Sequence, residues 1–259
     1  MCELLGMSAN VPTDIQFSFS GLIKRGGETG VHSDGWGIAF FEGKGCRVFH
    51  EPTASAKSKL AEFIGQYQIK STQVICHIRK ANRGRVSLEN THPFTRELWG
   101  QVWTFAHNGQ LKGVKNKVLK GYTPIGTTDS EYAFCWMLGE LREQFSTKPR
   151  SKIKLMKCIE ALSRELAELG VFNMLMAHVD NLYTYCSTKL WHLTRQAPFE
   201  EAQLSDVDIS VDFKKETSIT DIVTIIATEP LTSNEKWQPM SEAEFAVFHL
   251  GEQVYRRGA

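Results

Sequence analysis

Met1-Cys2-Glu3-Leu4-Leu5-Gly6-Met7 decides how the rest of the chain is read. The run from Cys2 to Met7 is short and apolar, which suits a buried strand. Its first side chain is a thiol directly behind the initiator methionine. Small second residues favour removal of Met1, so the mature chain is expected to open on Cys2. One residue would then carry both a sulfur nucleophile and a free α-amine, whose ordinary pKa is about 7.7–8.0. Such an amine can take the thiol proton near neutral pH, directly or through a water. The competing reading is a small apolar residue that merely opens a strand. Position alone does not choose between them.

Outward from this terminus, residues 14–24 place Ile15, Phe19, Leu22 and Ile23 at helical spacing. A glycine-rich loop follows, Arg25-Gly26-Gly27-Glu28-Thr29-Gly30. Residues 36–42, 74–79 and 102–107 are apolar and β-prone, and the last two each end in a turn-rich patch, Asn82 to Arg85 and Asn108-Gly109. Residues 128–145 read as a helix. Thr128 and Glu131 have the spacing of a reciprocal N-terminal cap, and Tyr132, Trp136, Leu138 and Leu141 supply the buried stripe. A second helix is expected over 151–169, with Gly170 as its stop. Short β-rich segments close the chain at 173–179, 182–187, 190–194 and 222–228, separated by turns such as Asp180-Asn181. Residues 196–220 are polar and read as a long excursion. Strands, then helices, then strands again predict an α+β fold of mostly antiparallel sheet. No linker interrupts it, so residues 2–259 are expected to form a single domain.

The bulk properties exclude several classes of protein. The net charge of +1 comes with no long basic run, so neither nucleic acid nor an anionic membrane is an expected partner. The six cysteines, at 2, 46, 76, 135, 158 and 186, form no CxxC pair. No metal site is therefore expected, and the thiols read as reduced and buried in a cytoplasmic protein. The first 25 residues have no secretory pattern, and no apolar run is long enough to span a bilayer.

Five groups of residues then recur in order: Arg25-Gly26; Asp34-Gly35-Trp36-Gly37; Cys76-His77-Ile78-Arg79 with Asn90-Thr91-His92-Pro93-Phe94; Phe105-Ala106-His107-Asn108-Gly109; and Thr127-Thr128-Asp129-Ser130-Glu131. Each alone has an ordinary structural explanation. Asn-Gly is a common tight-hairpin pair, an aspartate at a helix N-terminus complements the macrodipole, and glycines beside a tryptophan can serve packing. Together with Cys2 they resemble the class II glutamine amidotransferase domain of the N-terminal-nucleophile (Ntn) hydrolases, closest to its standalone YafJ-like branch. Ala227-Thr228-Glu229-Pro230-Leu231 and Trp237 resemble the closing strand and loop of that branch.

The resemblance implies a four-layer αββα sandwich and a thioester mechanism without cofactor or metal. It implies that Cys2 attacks the amide carbon of a γ-glutamyl group, with its own α-amine as base. It implies an oxyanion site made by the Asn108 side-chain amide and the Gly109 N–H. Arg79 would grip the substrate α-carboxylate with a bidentate fork, and Asp129, left free because Thr128 does the capping, would accept the α-ammonium. Arg25 and Gly26 match a loop beside the nucleophile, and His92 a loop under the substrate. Glu3-Leu4 replaces the Gly-Ile of classical members, Asn82 replaces a threonine, and the loop before Asp34 is longer. Glu3 brings a negative charge that would raise the pKa of the reactive terminus. The expected ligand is glutamine or another γ-glutamyl small molecule. Released ammonia would go to a separate synthase or to water. The reading from another class is a non-catalytic γ-glutamyl sensor or partner-binding subunit.

Overall fold

The computed structural model describes residues 2–81, 84–179 and 181–258. The expected turns at Asn82–Arg85 and Asp180-Asn181 fall partly outside the described residues. The elements run β1 (Glu3–Thr13), α1 (Gln16–Lys24), β2 (Trp36–Glu42), β3 (Gly45–Glu51), α2 (Lys59–Gln66), β4 (Ser71–Ile78), β5 (Phe94–Leu98), β6 (Gln101–Leu111), α3 (Asp129–Gln144) and α4 (Lys152–Ala167). They continue with β7 (Gly170–His178), β8 (Asn181–Cys186), β9 (Trp191–Arg195), β10 (Glu201–Gln203), β11 (Ser210–Asp212), α5 (Phe213–Glu216), β12 (Val223–Ala227), β13 (Gln238–Pro239), β14 (Glu244–His249) and β15 (Glu252–Arg257).

Two antiparallel sheets result. One has the order β13-β9-β12-β1-β4-β2-β3, the other β15-β14-β8-β7-β6-β5. Successive side chains on a strand point to opposite faces, and β1 uses both. Leu5, Met7 and Ala9 pack outward with Ile15 just before α1, Phe19 and Leu22 of α1, and Ala61 and Ile64 of α2. Leu4 packs inward with Ala106, Leu175, Leu182 and Phe248 of the second sheet. The outer face of that sheet, with Phe105, Phe172 and Met174, buries Phe134, Met137 and Leu138 of α3 and Ile159 and Leu162 of α4. The layers are thus helix, sheet, sheet, helix, as expected.

Several local expectations are corrected. Asn108-Gly109 is not a turn: both residues lie inside β6, opposite Asn173 and Phe172 of β7. Thr128 caps α3 by accepting the Glu131 N–H at 3.1 Å, but Glu131 does not reciprocate. Its carboxylate instead accepts from the Ile125 and Gly126 amides and pairs with Arg96 at 2.5 Å. The polar excursion folds into the β10–β11 ribbon and α5, anchored by buried Phe199, Ala202 and Leu204. All six cysteines are free thiols, four of them buried, while Cys2 and Cys46 are half-exposed. Among the described residues, no helix is long and apolar enough to cross a membrane, and no cluster of three metal-ligating side chains occurs.

Candidate active site

The start of β1 and the middle of β6 meet at one end of the sandwich. There the Asn108 carboxamide binds the main chain of Cys2 on both sides. The Cys2 nitrogen donates to Asn108 Oδ1 at 2.8 Å, and Asn108 Nδ2 donates to the Cys2 carbonyl at 2.6 Å. A carboxamide nitrogen has two N–H groups, so one remains beyond the bond to Cys2. The thiol is held by the segment just after β4: the Lys80 N–H donates to Sγ at 3.2 Å, and Sγ lies 3.5 Å from the Lys80 carbonyl.

Lys80 is itself fixed by the Asp34-Gly35 segment. The Ala81 amide donates to Asp34 Oδ2 at 2.8 Å, the Asp34 N–H to the Arg79 carbonyl at 3.1 Å, and the Arg79 N–H to the Gly35 carbonyl at 2.8 Å. Gly37 lets the His92 backbone approach, since a Cβ there would sit 2.2 Å from the His92 carbonyl oxygen.

Gly109 has φ 155°, and a Cβ on it would lie 1.8 Å from the Val171 carbonyl oxygen, so no other residue fits. Along a strand, N–H groups alternate between its two edges. The Lys112 N–H bonds the Leu169 carbonyl, on the β7 side, whereas the Leu111 N–H bonds Asp129 Oδ2 at 2.8 Å, away from β7. The Gly109 N–H shares the edge of Leu111 and is directed at the same space as Asp129. β5 pairs with β6 only as far as Phe105, which leaves that edge open at Gly109.

The space is an open cleft of about 600 Å³ whose lining includes Cys2, Arg79, His92, Asn108, Gly109 and Asp129. These six of the eight expected residues are brought together. Asp129 differs from expectation in one respect: its carboxylate is not free. Oδ2 accepts from Leu111 and Oδ1 from the Ser130 N–H at 3.0 Å. It keeps lone pairs for a ligand, but its position is set by the backbone. Arg79 is buried and donates from Nη1 to the Arg85 carbonyl at 3.1 Å.

Arg25 and Gly26 do not line the cleft. The Arg25 guanidinium is spent on Asp206 at 2.8 Å, Glu3 at 3.4 Å and the carbonyls of Glu229 and Pro230 at 3.3 and 2.7 Å. A Cβ on Gly26 would meet Ser55 Oγ at 1.7 Å, so its glycine serves packing. Glu3, next to Cys2 on the strand, points to the opposite face and meets Arg25 and His32. Its charge is the smallest influence on the thiol. Burial pushes the Cys2 pKa up, opposed by the Lys80 amide and Arg79.

His107 was part of the sequence pattern without a role, and the structure supplies one. Its Nε2 is 3.0 Å from the Val171 carbonyl, which can only accept, so Nε2 carries the proton. Nδ1, 2.8 Å from Ser130 Oγ, then accepts. Burial lowers the His107 pKa, against the pull of the Asp129 carboxylate. A neutral ring of one tautomer thus ties β6 to β7 and to the start of α3. His77 and His92 lie against each other, tilted by 39° with centroids 4.2 Å apart, and His92 also lies against Phe94 at 4.4 Å. Burial lowers His77 to about 3 and holds His92 well below the ordinary histidine value. His92 is therefore a packed, uncharged part of the wall. Lys80 and Lys112, which also line the cleft, had no local sequence signal.

The model of the class II glutamine amidotransferases matches residues 1–257. The chain belongs to this family. It is 55% identical to YafJ of Escherichia coli (strain K12), covering 98% of this chain and 100% of that protein. It is 36% identical to MJ1515 of Methanocaldococcus jannaschii, covering 98% of this chain and 71% of that one. Among solved structures, that of a predicted glutamine amidotransferase from Pseudomonas aeruginosa PA01 matches with a TM-score of 0.79 at 47% identity, over 98% of this chain and 100% of that one. The glutamine phosphoribosylpyrophosphate amidotransferase of Bacillus subtilis matches at 13% identity with a TM-score of 0.63, over 99% of this chain and 49% of that one. That second likeness concerns the fold, which is the Ntn-type sandwich.

Proposed function

We propose that this amidotransferase-family chain hydrolyses the side-chain amide of glutamine or a related γ-glutamyl compound through a Cys2 thioester. The observation that carries the reading is the pairing of Cys2 with Asn108 across 106 residues of sequence, beside the Gly109 N–H. With Met1 removed, the Cys2 nitrogen is an amine. Donating one N–H to Asn108 Oδ1 keeps its lone pair available for the thiol proton. Sγ attacks the amide carbon, and the proton passes through the amine to the leaving nitrogen. The second Nδ2 N–H of Asn108 and the Gly109 N–H stabilise the oxyanion. The C–N bond breaks, ammonia or an amine departs, and water converts the thioester to glutamate and free thiol by the same route in reverse. Arg79 takes the α-carboxylate and Asp129 the α-ammonium, while His92 packs beneath. The steps call on no metal or organic cofactor, and ammonia would pass to a separate synthase or to water.

Hydrolysis assays on glutamine and γ-glutamyl amides test the reading. Cys2→Ala should reduce turnover by at least about a thousandfold, as loss of a nucleophile does. Equal rates in both proteins would refute it. Undiminished ligand binding without turnover in the unaltered chain would make it a γ-glutamyl-binding module instead.

A further inference from the structure

Asn108 can clasp both main-chain groups of Cys2 only because no strand occupies that edge of β1. The other strand on this edge is β12, which runs antiparallel to β1 with Leu5 facing Ala227 and Gly6 facing Ile226. Carried on in the same register, Leu4 faces Thr228, and Cys2 would face Pro230. Pairs that exchange hydrogen bonds alternate along such a ladder. Leu4 and Thr228 form one of these pairs, so Cys2 and residue 230 would form the next.

The ladder stops before it gets there. The Thr228 N–H still donates to the Leu4 carbonyl at 3.1 Å, but the Leu4 N–H donates to Thr228 Oγ1 at 2.8 Å instead of to a backbone carbonyl. Thr228 is buried, so bulk solvent cannot stand in for that hydroxyl. Beyond it the main chain turns away. The carbonyls of Glu229 and Pro230 accept from Arg25 at 3.3 and 2.7 Å, and Pro230 has no N–H to offer Cys2. The N–H and carbonyl of Cys2 are left to the Asn108 carboxamide, which supplies an acceptor and a donor as a peptide group would.

Resting on the thioester reading above, we propose that Thr228 is a positioning residue for the nucleophile: its hydroxyl ends the β1–β12 ladder at Leu4 and so reserves the Cys2 edge for Asn108. Without the hydroxyl, the buried Leu4 N–H needs another acceptor. The backbone carbonyl of residue 228, its ordinary partner in such a ladder, is the one to supply it. Turning that carbonyl toward Leu4 draws residues 229 and 230 along β1 toward Cys2, onto the edge that Asn108 holds. The two-sided grip is then lost, and the amine and sulfur are no longer set against the oxyanion donors. Thr228 is not among the residues lining the cleft, so turnover should suffer while substrate affinity is kept.

Steady-state hydrolysis of glutamine and γ-glutamylglycine by the purified chain, alongside urea unfolding, tests this. Thr228→Val keeps the shape of the side chain and removes the hydroxyl. It should lower kcat by at least about tenfold with KM within about twofold, the mark of an interaction that matters only to the reacting state. Thr228→Ser restores the acceptor and should recover most of kcat, even where the missing methyl costs stability. Thr228→Ala repeats the removal should the valine variant not fold. Alkylation of Cys2 by a γ-glutamyl diazoketone should slow in the same ranking. A kcat unmoved by the loss of the hydroxyl, or one that follows the unfolding midpoint and is not recovered by serine, overturns this proposal while leaving the thioester reading intact. Absence of turnover in the unaltered chain overturns both.

Discussion

Arg79 and Arg25 belong to the same sequence pattern, yet they end in opposite surroundings. Arg79 stands at the end of β4 and lines the cleft beside Cys2. Arg25 stands at the end of α1, with its donors consumed by Glu3, Asp206 and two carbonyls. A guanidinium satisfied inside the protein cannot also grip a ligand. The difference teaches that a motif marks where a residue sits, and that its partners decide what it does. Around Arg79 the molecule keeps an open cleft. Around Arg25 it builds a buried ionic joint between β1, the loop after β12 and the 196–220 excursion.

The largest effect should come from the cleft side. Asn108→Ala removes an oxyanion donor and the clamp on Cys2, and should lower kcat by about a hundred- to a thousandfold. A drop below tenfold would detach Asn108 from the reacting carbonyl and weaken the contrast. Arg79→Lys keeps the charge but loses the fork. Charge-assisted hydrogen bonds are worth about 1.5–3 kcal/mol, so KM for a γ-glutamyl substrate should rise roughly tenfold to a hundredfold. An unchanged KM would put the α-carboxylate elsewhere.

Arg25→Met probes the other arginine. Breaking a buried pair from one side costs about 3–5 kcal/mol; the Arg25 and Asp206 side chains retain 10% and 14% exposure, so the lower end is expected. Urea unfolding should register that loss, with KM of the folded enzyme unchanged. A raised KM with unchanged stability would reverse the assignment.

The smallest expected effect is graded with pH. His77, held to about 3 when folded, binds a proton in the unfolded chain below about 6.5 but not in the native one. Its contribution is full above 6.5 and is lost as pH falls from there toward 3, at up to about 1.4 kcal/mol per pH unit. His92 and His107, also lowered by burial, act in the same direction. Unfolding at pH 7.5 and 5.5 should show lower stability at the acid value. A His77→Phe variant should show a smaller difference; an identical difference would remove His77 from the account.

Much of this was legible locally. The β1 run, the α1 spacing and the Thr128 cap are short-range signals, and they placed Cys2 and Asp129 on the correct elements. The rest depends on partners distant in sequence. Asn108-Gly109 carries turn chemistry, but pairing with Asn173 and Phe172 of β7 holds it in a strand. Arg25 meets Asp206, 181 residues away, and no local pattern announces such a joint. The short helix α2, capped by Ser58 with a 2.9 Å bond from Ala61, and the β14–β15 hairpin lie in stretches to which no element was assigned. The role of His107 rests on Val171 and Ser130, which only the fold brings to its two nitrogens.

The most direct check exposes the purified protein to a γ-glutamyl diazoketone and reads its intact mass and peptide map. The account predicts a chain lacking Met1 that gains a single adduct, located on Cys2 and suppressed by excess glutamine or γ-glutamylglycine. A chain that keeps Met1 and leaves the Cys2 sulfur unmodified would contradict it.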